Sequence, residues 1–225
     1  MTVAAVVLAS TPGEALVEVG GVAAIRRIAD IAWAGGALPI VIVPEAVDAS
    51  AELAAPLSGA PGTLIADSPT DADPLDRLAA GIATARAEVN GTDAVLAWPG
   101  RYVHLDAETV TSLIEAHGID RAVVLVPSYR GTPGWPILLP LSAGEVLPRL
   151  AGTPLAELAA SLRGAGIHTR LVELGDPGVV HDLATAAKEL PEFTGPPEPV
   201  GAKAHDWGER VPEADPSPAP PRAAR

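Results

Sequence analysis

Val3–Ala9 is an unbroken apolar run closed by Ser10-Thr-Pro-Gly13. Such a run, with no polar alternation, predicts a strand buried on both faces, as in a parallel sheet. From Gly21 to Gly35 the spacing turns helical, with Val22, Ile25, Ile28, Ala29, Ala32 and Trp33 on one side and Arg26, Arg27 and Asp30 on the other. That side carries Trp33 into the core, and Gly35-Gly36 ends the helix. Leu38–Val43 predicts a second buried strand, stopped by Pro44. The alternation continues with a helix over Ala46–Leu57, a short strand over Thr63–Ala66 and a helix over Pro74–Val89. A strand over Asp93–Trp98, a helix over Ala107–His117 and a strand over Arg121–Val126 follow. Asp106 is a good N-cap for the helix over Ala107–His117, with Glu108 favourable in its first turn. Strands that alternate with helices imply a mainly parallel sheet covered on both faces.

After Pro127 the rhythm changes. Ser128–Gly134 has turn chemistry, and Trp135-Pro-Ile-Leu-Leu-Pro140 is a short apolar run whose prolines suit an edge strand or a returning hairpin. A helix over Pro154–Ala165, a strand over His168–Leu174 and a short helix over Thr185–Leu190 complete the body. Residues 191–225 hold 9 of the 24 prolines, too many for long regular elements. The division expected is a domain over 1–193 and a proline-rich, largely disordered tail over 194–225, in which His205-Asp-Trp207 breaks the low complexity. Trp207 is read there as an anchor onto the domain or a partner.

Charge and composition narrow the function. Lysine plus arginine is 15 and aspartate plus glutamate is 28, a formal net charge of −13. Nucleic acid and anionic membrane surfaces need a basic face and are not expected partners. The absence of cysteine removes disulfides, thiolate metal sites and cysteine nucleophiles together. Only Lys188 and Lys203 are lysines, so no phosphate-loop lysine sits in the first 187 residues. With no targeting segment evident, the chain reads as soluble and cytoplasmic.

The first strand-to-helix turn has one glycine where a dinucleotide site needs three, and no G-x-S-x-G elbow is present. The pairs His181-Asp182 and His205-Asp206 could ligate a metal, though such pairs are more often solvated polar residues. Ligands in open α/β sheets bind beyond the carboxyl ends of the strands. That places candidates at Ser10–Glu14, Pro44–Glu45, Asp67–Ser68, Pro99–Arg101 and Pro127–Arg130.

Several segments in order carry a resemblance. Leu8-Ala9 is followed by Glu14-Ala-Leu-Val-Glu-Val-Gly-Gly21, a helix and a second strand. Leu78-Ala-Ala-Gly81, Asp93–Gly100, Asp106–His117, Pro127-Ser-Tyr-Arg-Gly-Thr-Pro-Gly-Trp-Pro136 and Gly175-Asp-Pro-Gly-Val-Val-His-Asp182 come next. Over residues 2–193 this series resembles the MobA-like nucleotidyltransferases, the molybdenum-cofactor guanylyl- and cytidylyltransferases. The resemblance implies a three-layer α/β/α sandwich of the nucleotide-diphospho-sugar transferase type, with a mostly parallel sheet and one antiparallel element. It implies nucleotide contacts at Leu8, Ala9, Ser10, Thr11, Gly13, Arg77 and Gly81, and substrate contacts at Pro99, Gly100, Gly134 and Trp135. Asp182 and Arg101 take the catalytic positions, with Asp182 the metal ligand and Mg²⁺ the cofactor of an active enzyme.

The departures fall in the chemistry. Glu14 stands where the family has its loop lysine, Arg101 where it has its metal aspartate, Arg77 where it has a serine and Trp135 where it has the hairpin histidine. Arginine has no acceptor and cannot ligate Mg²⁺. Two readings follow. Arg101 and Arg77 could serve a nucleotide phosphate as charge partners. Alternatively, catalysis is altered or lost and the chain is a non-catalytic nucleotide- or protein-binding regulatory module. The partner expected is a nucleotide or nucleotide-like small molecule, and a homo-oligomer is possible.

Overall fold

The computed structural model describes residues 1–46, 49–68 and 72–195. The expectations for the tail, including His205, Asp206 and Trp207, fall on residues outside these. The chain runs β1 (Thr2–Leu8), α1 (Pro12–Ala15), β2 (Glu18–Val19), β3 (Val22–Ala23), α2 (Ala24–Ala34), β4 (Ile40–Val43), α3 (Ser50–Leu57), β5 (Thr63–Ile65) and α4 (Pro74–Glu88). It continues with β6 (Thr92–Pro99), α5 (Ala107–Ile119), β7 (Val124–Tyr129), β8 (Thr132–Pro133), β9 (Ile137–Pro140), α6 (Leu141–Gly144), α7 (Leu158–Gly164) and β10 (Thr169–Glu173). The main sheet has the order β10-β7-β9-β6-β1-β4-β5, with β8 paired to β7.

The apolar runs are continuous because successive residues feed two separate cores. Val3, Ala5 and Val7 of β1 enter one, and Ala4, Val6 and Leu8 the other. The first core takes Ile25, Ile28, Ala29 and Ala32 of α2 and Val110 and Leu113 of α5. The second takes Leu75, Leu78, Ile82 and Ala85 of α4 and Leu158 and Leu162 of α7. A sheet buried on both faces has no polar side, so the period-2 signal of a half-exposed strand is absent. The three-layer α/β/α arrangement is the one expected.

Strand β1 pairs in parallel with both β4 and β6. The chain winds outward from β1 through β4 to β5, then returns to β6 on the opposite side of β1. That reversal opens a crevice at the carboxyl ends of β1 and β6. There the Gly100 N–H donates to Leu8 O at 2.8 Å, and a Cβ on Gly100 would lie 2.8 Å from the same oxygen. Only glycine lets the two strand ends approach this closely.

Several local expectations are corrected. β9 is an interior strand, antiparallel to both β6 and β7. Pro136 precedes the strand and Pro140 is its last residue, so Ile137, Leu138 and Leu139 keep their ladder donors. β7 starts later than expected and runs through Pro127, whose carbonyl still accepts from Gly134 N. Trp33 is 44% exposed: it lies against Gly62 and Leu38 at the β5 side of the sheet, where among the described residues no further strand covers it. Helix α2 is preceded by the small β2–β3 hairpin, and Thr185–Leu190 holds one 3₁₀ turn, Ala187–Glu189.

Candidate active site

A cavity of about 210 Å³ opens in the crevice. The first loop supplies Leu8, Ala9, Ser10, Thr11 and Glu14, the β6 end supplies Pro99, Gly100 and Arg101, and Glu45, Pro74, Arg77 and Leu155 complete the wall. Of the loops singled out in the sequence, Ser10–Glu14, Pro44–Glu45 and Pro99–Arg101 meet here. Pro127–Tyr129 is instead part of β7, and Ser68 is buried outside the cavity lining.

The first loop is held by its own turn chemistry. Thr11 caps the one-turn helix α1, and Pro12 occupies its first position. This carries Glu14 back over the strand ends. Gly13 is exposed on the same turn and is absent from the cavity lining.

Arg77 stands in the first turns of α4, which Asp73 caps by accepting from Leu75 N and Asp76 N. Asp73 also accepts from Gly152 N, tying the α4 entry to a distant loop. Arg77 is 7% exposed, and its Nη2 donates to Ala9 O at 2.7 Å and Val43 O at 2.9 Å. The guanidinium thus joins the carboxyl ends of β1 and β4. Burial lowers its pKa, and the nearby Glu45 carboxylate opposes that shift. Its Nε is buried without a partner.

Arg101 lies between two carboxylates. Its Nη1 donates to Glu14 Oε1, and its Nε donates to Asp182 Oδ2 at 3.0 Å. Its carbonyl accepts from Leu183 N at 2.8 Å, so backbone and side chain both tie the β6 loop to the late loop that follows β10, Leu174–Leu183. The hydrogen bond to Asp182, followed by the fields of Asp182 and Glu14, raises the Arg101 pKa further and keeps it charged. Partial burial pushes Asp182 upward, but the Ala184 N–H and Arg101 outweigh it and hold Asp182 below the usual carboxylate value.

Other expected residues are placed elsewhere. Gly81 sits in the α4–sheet contact, where a Cβ would lie 2.3 Å from Val6 Cγ1 and 2.8 Å from Val43 Cγ2. Gly134 and Trp135 join the β7–β8 hairpin to the late loop, with Trp135 N donating to Val179 O at 2.8 Å. They line a different cavity. The Trp135 ring meets Tyr102 at 6.3 Å between centroids, and Trp98 is wholly buried with Nε1 donating to Tyr102 O.

Sequence reasoning missed Asp176. It is 2% exposed and accepts from Asp106 N, Thr109 Oγ1 and Gly178 N. Burial raises its pKa and these three bonds oppose the rise. Asp176 therefore locks the late loop, and with it Asp182, onto the start of α5. The local sequence signal is Asp176-Pro-Gly178, a turn that a capping side chain would close.

A divalent cation does not fit this arrangement. Glu14 and Asp182 both spend an oxygen on Arg101, which offers no acceptor. Among the described residues no group of three or more His, Asp or Glu side chains could hold a metal.

The fold is shared with solved structures. A nucleotidyl transferase from Methanothermobacter is 18% identical with a TM-score of 0.61, over 76% of this chain and 87% of that one. A protein from Mycobacterium tuberculosis H37Rv, solved in complex with manganese, is 19% identical with a TM-score of 0.59, over 77% and 89%. A CMP:2-keto-3-deoxy-manno-octonic acid synthetase complexed with CTP is 14% identical with a TM-score of 0.60, over 79% and 92%. A comparison with curated proteins returns no match. The family model described as "MobA-like NTP transferase domain" matches residues 13–166, well over half of the sequence, and the chain belongs to that family.

Proposed function

We propose that this member of the nucleotidyltransferase family binds a nucleoside or nucleoside monophosphate in the Ser10–Arg101 cavity and does not carry out metal-dependent nucleotidyl transfer. The observation that carries this reading is the Glu14–Arg101–Asp182 bridge. In-line transfer from a triphosphate draws most of its stabilisation from cations placed on the developing charge. Here both cations near the cavity are committed, Arg77 to two backbone carbonyls and Arg101 to two carboxylates. Glu14 and Glu45 on the rim balance their charge, so among the described residues no lining cation is left to neutralise a triphosphate.

This reading deepens the second of the two sequence-based alternatives and disfavours the first. Thermal melting with nucleosides, nucleoside monophosphates and triphosphates, with and without Mg²⁺ or Mn²⁺, tests it beside a pyrophosphate-release assay. Stabilisation by the less charged ligands, unchanged by metal and without pyrophosphate, is expected. Metal-dependent pyrophosphate release that Asp182→Ala abolishes would overturn it.

A further inference from the structure

A second cavity, of about 270 Å³, lies between α7 and the β7–β10 end of the sheet. Helix α7 seats Leu158 and Leu162 fully in the core. The neighbouring wall positions Ala156, Ala159 and Ala160 carry only methyl groups. Their short side chains leave the space that larger ones would close. Val126 and Ile137 form the floor and Trp135 one wall. Leu171, 48% exposed on the edge strand β10, forms the outer lip.

One lining residue is charged. Arg163 sits on the last turn of α7, and its Nε donates to Thr169 Oγ1 at 2.9 Å. That bond fixes the guanidinium at the lip. Among the described residues Arg163 makes no ion pair, although the chain is strongly acidic. An apolar chamber with a single oriented cation at its mouth has an electrostatic complement. It is an apolar body with one carboxylate, which the guanidinium can take in bidentate fashion.

We infer that the cleft lined by Trp135, Ile137, Leu171 and Arg163 binds a small aromatic or branched-chain carboxylic acid. The apolar part replaces water against Trp135, Val126 and Ile137, and the carboxylate pairs with Arg163. The Trp135 ring also packs against Tyr102, the residue next to Arg101. The two cavities have no lining residue in common, and the inference does not depend on what the first cavity holds.

Saturation-transfer NMR on the full chain tests it with phenylacetate, 4-methylpentanoate and the neutral phenylacetamide. Saturable binding of the two acids is expected, with phenylacetamide weaker by about tenfold or more, the worth of one charged hydrogen bond. Arg163→Gln should weaken phenylacetate by a similar factor, and Ala159→Phe should abolish its signal by filling the chamber. Arg163 is exposed, so its variant should fold, and thermal melting checks both. Absence of an acid signal up to about 10 mM, an affinity far below that of weak ligands, overturns the inference. Equal binding of the acid and its amide, or unchanged binding in Arg163→Gln, overturns it equally.

Discussion

Replacing Arg101 by alanine removes one guanidinium and leaves Glu14 and Asp182 facing each other. The side chains of Arg101, Glu14 and Asp182 are 42%, 36% and 29% exposed, so solvent screens both pairs. Screened pairs of this kind contribute about 0.5–1 kcal/mol each, and the loss should total about 1–2 kcal/mol. At about 2–4 °C per kcal/mol for a chain of this size, melting should fall by about 2–8 °C. The deficit should shrink in high salt, which weakens the parent's bridge. The freed carboxylates should also acquire an affinity for Mn²⁺ that the parent lacks. At ten times its Kd the cation would restore about 1.4 kcal/mol. Differential scanning fluorimetry of parent, Arg101→Ala and Arg101→Lys, with and without Mn²⁺, reads both effects, and the lysine variant should fall between the others. An Arg101→Ala protein that melts within about 1 °C of the parent and ignores Mn²⁺ would refute the reasoning.

His117 is fully buried on α5, with neither ring nitrogen hydrogen-bonded. Burial lowers its pKa, against an opposing pull from Asp93, so the unfolded chain takes up the proton first as pH falls below about 6.5. Stability should fall from there toward the folded-state pKa with a slope of up to about 1.4 kcal/mol per pH unit. Urea melts between pH 8 and 5 should show the loss in the parent and a flatter curve in His117→Leu; parallel curves would exclude it. Gly81→Ala should cost about 1–3 kcal/mol by overpacking against Val6 and Val43, despite alanine's better helix propensity. A lower urea midpoint at unchanged slope, with nucleoside affinity intact in the folded protein, is the expected result. Asp176→Ala should cost about 3 kcal/mol or more, because three donors lose a buried charged acceptor. Faster proteolysis of the Gly175–Leu190 segment should accompany it.

The strand core was legible in the sequence. Val3–Ala9, Leu38–Val43 and Ala94–Trp98 are apolar without interruption, and only a strand covered on both sides tolerates that. Asp106 and Asp73 mark helix starts through local bonds, within reach of a sequence reading. Trp33 was misplaced because helical spacing shows which side is apolar but not where the neighbouring sheet ends. β9 was misplaced because its prolines announce a boundary, and only its pairing with both β6 and β7 shows that the boundary lies inside the sheet. The candidate site divides the same way. The sequence alone brings Ser10–Glu14 and Pro99–Arg101 to strand ends, since the α/β alternation dictates where those loops must lie. It cannot show that Arg77 caps Ala9 and Val43, nor that Arg101 bridges Glu14 and Asp182. Those partners lie 87 and 81 residues from Arg101 along the chain. A charge takes whichever partners the folded loops bring within hydrogen-bonding distance, and that choice belongs to the tertiary structure.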